Sequence, residues 1–209
     1  MKQKEMPYMN EKKTSPIMIF HLILMLVLLA FSLYSGVRII GSISSNTEIV
    51  SANGTLAVLM YGIYKFLTAA ALCAGMMYIW KGYRKSAASY YKAFLFLLAL
   101  ATVFCTLNLV IMLQSSSSYL IIIALVAHIV KTIALLILIF KKDLGEHYSW
   151  ILFGILIAMD LVIGMLTGNS DATYKAIRLV GLFSRLAMDV TIGLSIRGKY
   201  LDKASRGSE

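Results

Sequence analysis

Seven residues able to do chemistry stand inside stretches that are otherwise apolar: Lys65, Asn108, His128, Lys131, Asp160, Arg185 and Asp189. Five of them are charged in water. At the centre of a hydrocarbon layer each such charge costs about 2.5–3.5 kcal/mol on insertion scales. A chain keeps five of them only where they face one another or water. The residue types also say what such a site would recognise. Lysine and arginine bind carboxylate and phosphate groups, aspartate binds cations or protons, and asparagine and histidine add directed hydrogen bonds. Three cations against two anions leave one excess positive charge. That balance points to an anion-attracting site, and the carboxylates open the further reading of a proton-linked one. The plainer alternative is a set of internal ion pairs that only fixes helix order.

Helical spacing lets these residues meet. In RLVGLFSRLAMDVTIGLSIR, residues 178–197, successive side chains turn by about 100°. Asp171, Arg178, Arg185 and Asp189 then share a narrow arc, and Arg185 and Asp189, four apart, are expected to pair along the helix. Phe183, Leu186, Val190 and Leu194 fall on other faces, free to meet lipid. His128 and Lys131 are three apart on one face. Lys65 shares its face with Tyr61, Gly62, Thr68 and Ala69; Asn108 lies near Cys105 and Ser115; Asp160 shares its face with Ser149, Gly164 and Thr167. The economical arrangement turns these arcs toward a common centre, where Asp160 pairs with Lys65 or Lys131.

The elements that must position this set follow from composition. Of 209 residues, 59% are hydrophobic and 14% charged, with a mean hydropathy of +0.79. Apolar runs of roughly 20 residues recur, the length that spans a hydrocarbon core. Both prolines, Pro7 and Pro16, precede the first run. The runs cover about 17–40, 56–80, 93–113, 119–140, 150–166 and 173–196. The fold expected is an all-α membrane protein, a six-transmembrane-helix bundle built as three successive helical hairpins. It divides into a basic tail (1–16), the transmembrane domain (17–196) and a second basic tail (197–209). The first run is too long for a signal-peptide core and no small-residue cleavage site follows it, so it reads as a retained helix.

Orientation comes from the connections. Fourteen lysines and arginines, in the two tails and in the connections after the second and fourth runs, fall on one side of a six-span layout. Only Arg38, Lys175 and Arg178 fall on the other. Positive charge stays inside, so both termini are expected in the cytoplasm and the membrane is expected to be the plasma (cytoplasmic) membrane. Tyr78, Trp80, Tyr83, Tyr90 and Tyr91 around the second connection, with Tyr148 and Trp150 at the fifth run, suit the headgroup level. The basic connection KGYRKSAASYYK also suits anionic lipid heads. Asn53-Gly54-Thr55 is a formal glycosylation acceptor, a tripeptide common by chance. Small residues four apart, Ser32 and Gly36, Ala71 and Gly75, Gly164 and Gly168, favour close helix approach.

Several classes are excluded. The net charge of +10 is explained by the connections and does not imply nucleic acid. Cys73 and Cys105 lie singly in apolar runs and read as small buried hydrophobes. His21, His128 and His147 are far apart in the topology, so neither a metal site nor a cofactor is expected. No metalloprotease, phosphate-loop, dinucleotide or nucleophile-elbow motif occurs, and no enzymatic activity is expected. The six-span, both-ends-inside layout and the size resemble those of the substrate-binding membrane subunits of energy-coupling transporters; layout alone transfers no residue role. The function expected is a small-solute transporter or a membrane-embedded solute-binding subunit. Its site would comprise Lys65, Asn108, His128, Lys131, Asp160, Arg185 and Asp189, for a small anionic or zwitterionic solute. The rival expectation is a structural or regulatory subunit of a larger membrane complex. Partners expected are the bilayer, anionic head groups at its cytoplasmic face, and either other subunits or further copies of the chain.

Overall fold

The chain folds as helices separated by short connections. The computed structural model describes residues 16–44, 54–81, 87–115, 118–141, 144–166 and 181–197. Six helices occupy these segments: α1 (Pro16–Ser44), α2 (Thr55–Trp80), α3 (Ala88–Ser115), α4 (Tyr119–Phe140), α5 (Glu146–Leu166) and α6 (181–197). The first five are long and apolar enough to cross a membrane, which marks an integral membrane protein. Helix is what such sequences must form, because in hydrocarbon every backbone N–H and C=O needs a partner within its own segment. The expected Asn53 acceptor and residues 173–180 of the sixth run lie outside the described residues, as do 82–86 of the second connection.

Helix ends follow local chemistry. Gly54 precedes α2 at φ 75° and ψ 145°, a backbone region that is essentially open to glycine alone. At the far end of α2 the Lys81 N–H returns to the Met77 carbonyl, and the Lys141 N–H returns to Ile137 at the end of α4. Lys81 also lays its ammonium over the Tyr90 ring, 4.8 Å from the centroid, tying together the two sides of the basic connection.

Among the first five helices packing is sequential: α1 on α2, α2 on α3, α3 on α4 and α4 on α5. Small residues set the closest approaches. A methyl group added at Gly36 would stand 3.3 Å from the Phe66 ring, one at Gly62 would stand 2.5 Å from Ile40 Cγ1, and one at Gly75 2.9 Å from Met25 Cε. Reading Gly36, Ile40 and Met25 against Phe66, Gly62 and Gly75 shows α1 and α2 running antiparallel. Gly164 meets Leu182 and Gly193 meets the Phe153 ring in the same reversed order between α5 and α6. Of the expected small-residue pairs, Ser32 with Gly36 and Ala71 with Gly75 are buried; Gly164 abuts Leu182, and Gly168 lies outside the described residues.

The outside is apolar. Phe20, Val27, Val37, Phe96, Val126 and Met165 are all more than half exposed, a surface that suits lipid and not water. The helix that departs from this pattern is α6. Only Phe183, Val190 and Arg197 are exposed along it, whereas Ser184, Ala187, Met188, Asp189, Thr191, Ile192, Gly193, Ser195 and Ile196 are buried. It is the most enclosed element, and this is what carries its charges into the interior.

Candidate functional site: a charged cluster between α4, α5 and α6

Asp160 is the centre of the cluster. It lies on the buried face of α5, together with Leu156 and Ile163, and none of it reaches the surface. Lys131 of α4 approaches from the side, and its Nζ donates to both carboxylate oxygens, at 2.6 Å to Oδ1 and 2.5 Å to Oδ2. Lys131 is itself buried, so this ion pair is formed away from solvent, with two charge-assisted hydrogen bonds offsetting the desolvation. The sequence reading left Lys65 and Lys131 as alternatives; the structure selects Lys131.

Arg185 of α6 comes to the same carboxylate from the other side. Its Nε stands 3.8 Å from Asp160 Oδ1, an ion pair too long for a hydrogen bond. The arginine side chain passes beside Gly164 of α5, where an added methyl group would stand 3.6 Å from Nη2. Its Nε is buried and has no hydrogen-bond partner. The guanidinium therefore leans on a carboxylate already satisfied by Lys131, with donors to spare.

Asp189 differs from expectation. Four residues beyond Arg185, it does not bond to it: both of its carboxylate oxygens are buried without a hydrogen-bond partner. The reason is competition. Asp160 draws the Arg185 guanidinium toward α5, and Asp189 stays unbonded within electrostatic range of Lys131, Asp160 and Arg185. Two carboxylates and two cations thus share one region of the interior.

The other expected site residues stand around this core in different ways. His128, one turn from Lys131, places Nε2 3.5 Å from Cys105 Sγ on α3, while its Nδ1 is buried without a partner. Cys105 lies within electrostatic reach of Arg185, Lys65 and Lys131, so His128 and Cys105 border the charged core. Lys65 does not join the aspartates. Its ammonium lies over two rings of its own helix, 5.1 Å from the Tyr61 centroid and 5.3 Å from that of Tyr64. Among the described residues no carboxylate pairs with it. Asn108 is apart from the charges: its Nδ2 donates to the Ala57 carbonyl at 2.5 Å, clasping α3 to the first turn of α2.

Two contacts that sequence reasoning did not single out hold α6 in place. His21 Nε2 donates to Thr191 Oγ1 at 3.0 Å, since that hydroxyl spends its own proton on the Ala187 carbonyl. The Tyr78 hydroxyl donates to Ser195 Oγ at 2.9 Å. Both join α6 to the bundle from α1 and α2. The usable signal was Ser184, Thr191 and Ser195, seven and four residues apart on one stripe of an apolar helix, a pattern that calls for polar partners across an interface.

Among the described residues no group of three or more metal-ligating side chains comes together. No protein-family model, curated protein or solved structure matches the chain.

Proposed function

We propose that this chain is a small-solute transporter, or the solute-binding membrane subunit of one, and that its site takes a small anionic or zwitterionic solute at Arg185. The observation that carries the reading is the Arg185 Nε, buried, without a hydrogen-bond partner and 3.8 Å from a carboxylate that Lys131 already satisfies. A guanidinium presents donors in a fixed fork that suits a carboxylate or phosphate. A solute anion competes with Asp160 for that fork without having to break the shorter Lys131 bonds. Lys65, unmatched by a carboxylate among the described residues, adds attraction, and Asp160 and Asp189 face the ammonium of a zwitterion. The six helices are read as spans with both termini in the cytoplasm of the plasma membrane, on the bias of basic connections. No catalytic step is part of this function.

The test is uptake of labelled small carboxylates, inorganic phosphate and zwitterionic amino acids into vesicles containing the purified protein. Uptake of at least one class is expected, and Arg185→Met should abolish it while the protein remains folded. Unchanged uptake by a folded Arg185→Met protein sinks the site assignment.

A second reading is favoured by one observation: the Lys131–Asp160 pair is closed, with side chains 4% and 0% exposed. A pair sealed that tightly also suits a scaffold subunit in which the charges fix helix order. That reading predicts a stoichiometric partner chain on gentle extraction, and retained function when Lys131→Met and Asp160→Leu are combined.

A further inference from the structure

We propose that Asp189 and Asp160 together hold one exchangeable proton, making this pair the proton-binding element of the charged cluster. Asp189 is 1% exposed, and both its oxygens are buried without a hydrogen-bond partner. A buried polar group in that state needs a donor. The Asp160 carboxyl is its neighbouring anion, yet two carboxylates cannot bond to each other, because neither has a proton to donate. One proton supplies the missing donor and removes the repulsion between two buried like charges. In the binding step a proton from water forms an O–H bond at an Asp189 oxygen, and that hydroxyl donates to Asp160. Release returns the proton to water and leaves two carboxylates.

The neighbours set up this arrangement. Lys131 from α4 and Arg185 from α6 itself are the cations acting on Asp189, and Asp160 from α5 is the anion. From α1, His21 is engaged with Thr191. From α2, Lys65 is held over Tyr61 and Tyr64. His128 of α4 is turned to Cys105. With the proton bound, the trio of Lys131, Arg185 and Asp160 carries one net positive charge; with it released, the whole set is neutral. Protonation therefore changes the attraction of the cluster for an anion, which is the coupling a proton-linked carrier requires. That consequence rests on the proposed solute site; the proton site itself does not.

The experiment is infrared difference spectroscopy of the full chain in lipid, titrated with pH and with no solute present. A protonated-carboxyl stretch that titrates reversibly and shifts in heavy water is expected in the wild type, and its loss in Asp189→Asn. Asp189→Glu, which keeps a carboxyl, should move that band, and carries the test if the asparagine variant does not fold. A band of the same frequency and size in Asp189→Asn overturns the proposal, as does a wild type with no such band at any pH. Carboxylate stretches that respond to sodium ions in place of pH overturn it in favour of a bound cation. Because the spectrum needs no transport, absent uptake with the band present refutes the solute site and leaves the proton site standing.

Discussion

Replacing Lys131 by methionine should separate what holds the cluster together from what it recognises. Lys131 gives Asp160 two hydrogen bonds, at 2.6 and 2.5 Å. Bonds to charged groups contribute about 1.5–3 kcal/mol each, so removing both forfeits about 3–6 kcal/mol. The loss is partly recovered. Arg185 Nε stands 3.8 Å away with an unused donor, and closing that gap restores one charge-assisted bond, about 1.5–3 kcal/mol. The net cost expected is therefore ~1.5–3 kcal/mol. For a chain of this size each kcal/mol moves a thermal midpoint by roughly 2–4 °C, so Lys131→Met should lower it by about 3–12 °C. Arg185→Met removes only the longer contact, which carries no hydrogen bond, and should cost less than Lys131→Met. Solute affinity should rank the other way, with Arg185→Met the more damaging. Thermal unfolding in detergent, followed by size-exclusion profile with and without a small anion, reads both quantities. If Lys131→Met unfolds at the wild-type temperature, or Arg185→Met proves the less stable of the two, the division of labour inferred here is wrong.

Other expectations follow from the same packing. Combining Lys131→Met with Asp160→Leu should recover most of the lost stability, because a buried ion pair replaced by apolar groups of similar size is often neutral or stabilising by about 1–4 kcal/mol; a double variant less stable than either single one refutes this. Gly62→Ala should destabilise by ~1–3 kcal/mol, since its new methyl would meet Ile40 Cγ1 at 2.5 Å, whereas Gly154→Ala meets nothing within 4 Å and should be neutral or gain up to ~1 kcal/mol; equal midpoints for the two would contradict the close approach of α1 to α2. Tyr78→Phe removes the bond to Ser195 and should cost about 0.5–1.5 kcal/mol, seen as a lower midpoint with solute affinity unchanged. Single cysteines at Lys85 and at Ser117 should react with impermeant reagents from opposite sides of the membrane, and labelling from the same side would overturn the orientation.

Much of the fold can be read from the chain because hydrocarbon leaves so few choices. Runs of apolar residues about 20 long form helices, as Tyr119–Phe140 does with the limits expected. Other ends extend further than the apolar signal. Helix α1 continues to Ser44 and α3 begins at Ala88, since polar residues at the membrane edge prolong a helix without lengthening its hydropathy run. The charged residues were visible for the same reason: five charges in such a chain stand out, and each needs a polar or aromatic partner or water. Which charge meets which was not visible. Spacing within α6 suggested an Arg185–Asp189 pair, and it lost to a carboxylate on α5, because cross-helix geometry is not encoded in the periodicity of one helix. Lys65 met Tyr61, one turn before it, and the adjacent Tyr64, a local outcome that the shared face with Tyr61 already contained. Asn108 found the Ala57 carbonyl, a backbone partner to which no side-chain pattern points.

On this reading Arg185 holds a recognition site for a small anion. Its most direct test is equilibrium binding of small carboxylates, phosphate and zwitterionic amino acids to the purified full chain, beside a folded Arg185→Met variant. Saturable binding of at least one of these to the wild type, lost in the variant and kept in Asn108→Ala, is the result predicted. Binding that survives Arg185→Met, or a wild type that binds none of them while a partner chain co-purifies in stoichiometric amount, would contradict the account and favour the scaffold reading.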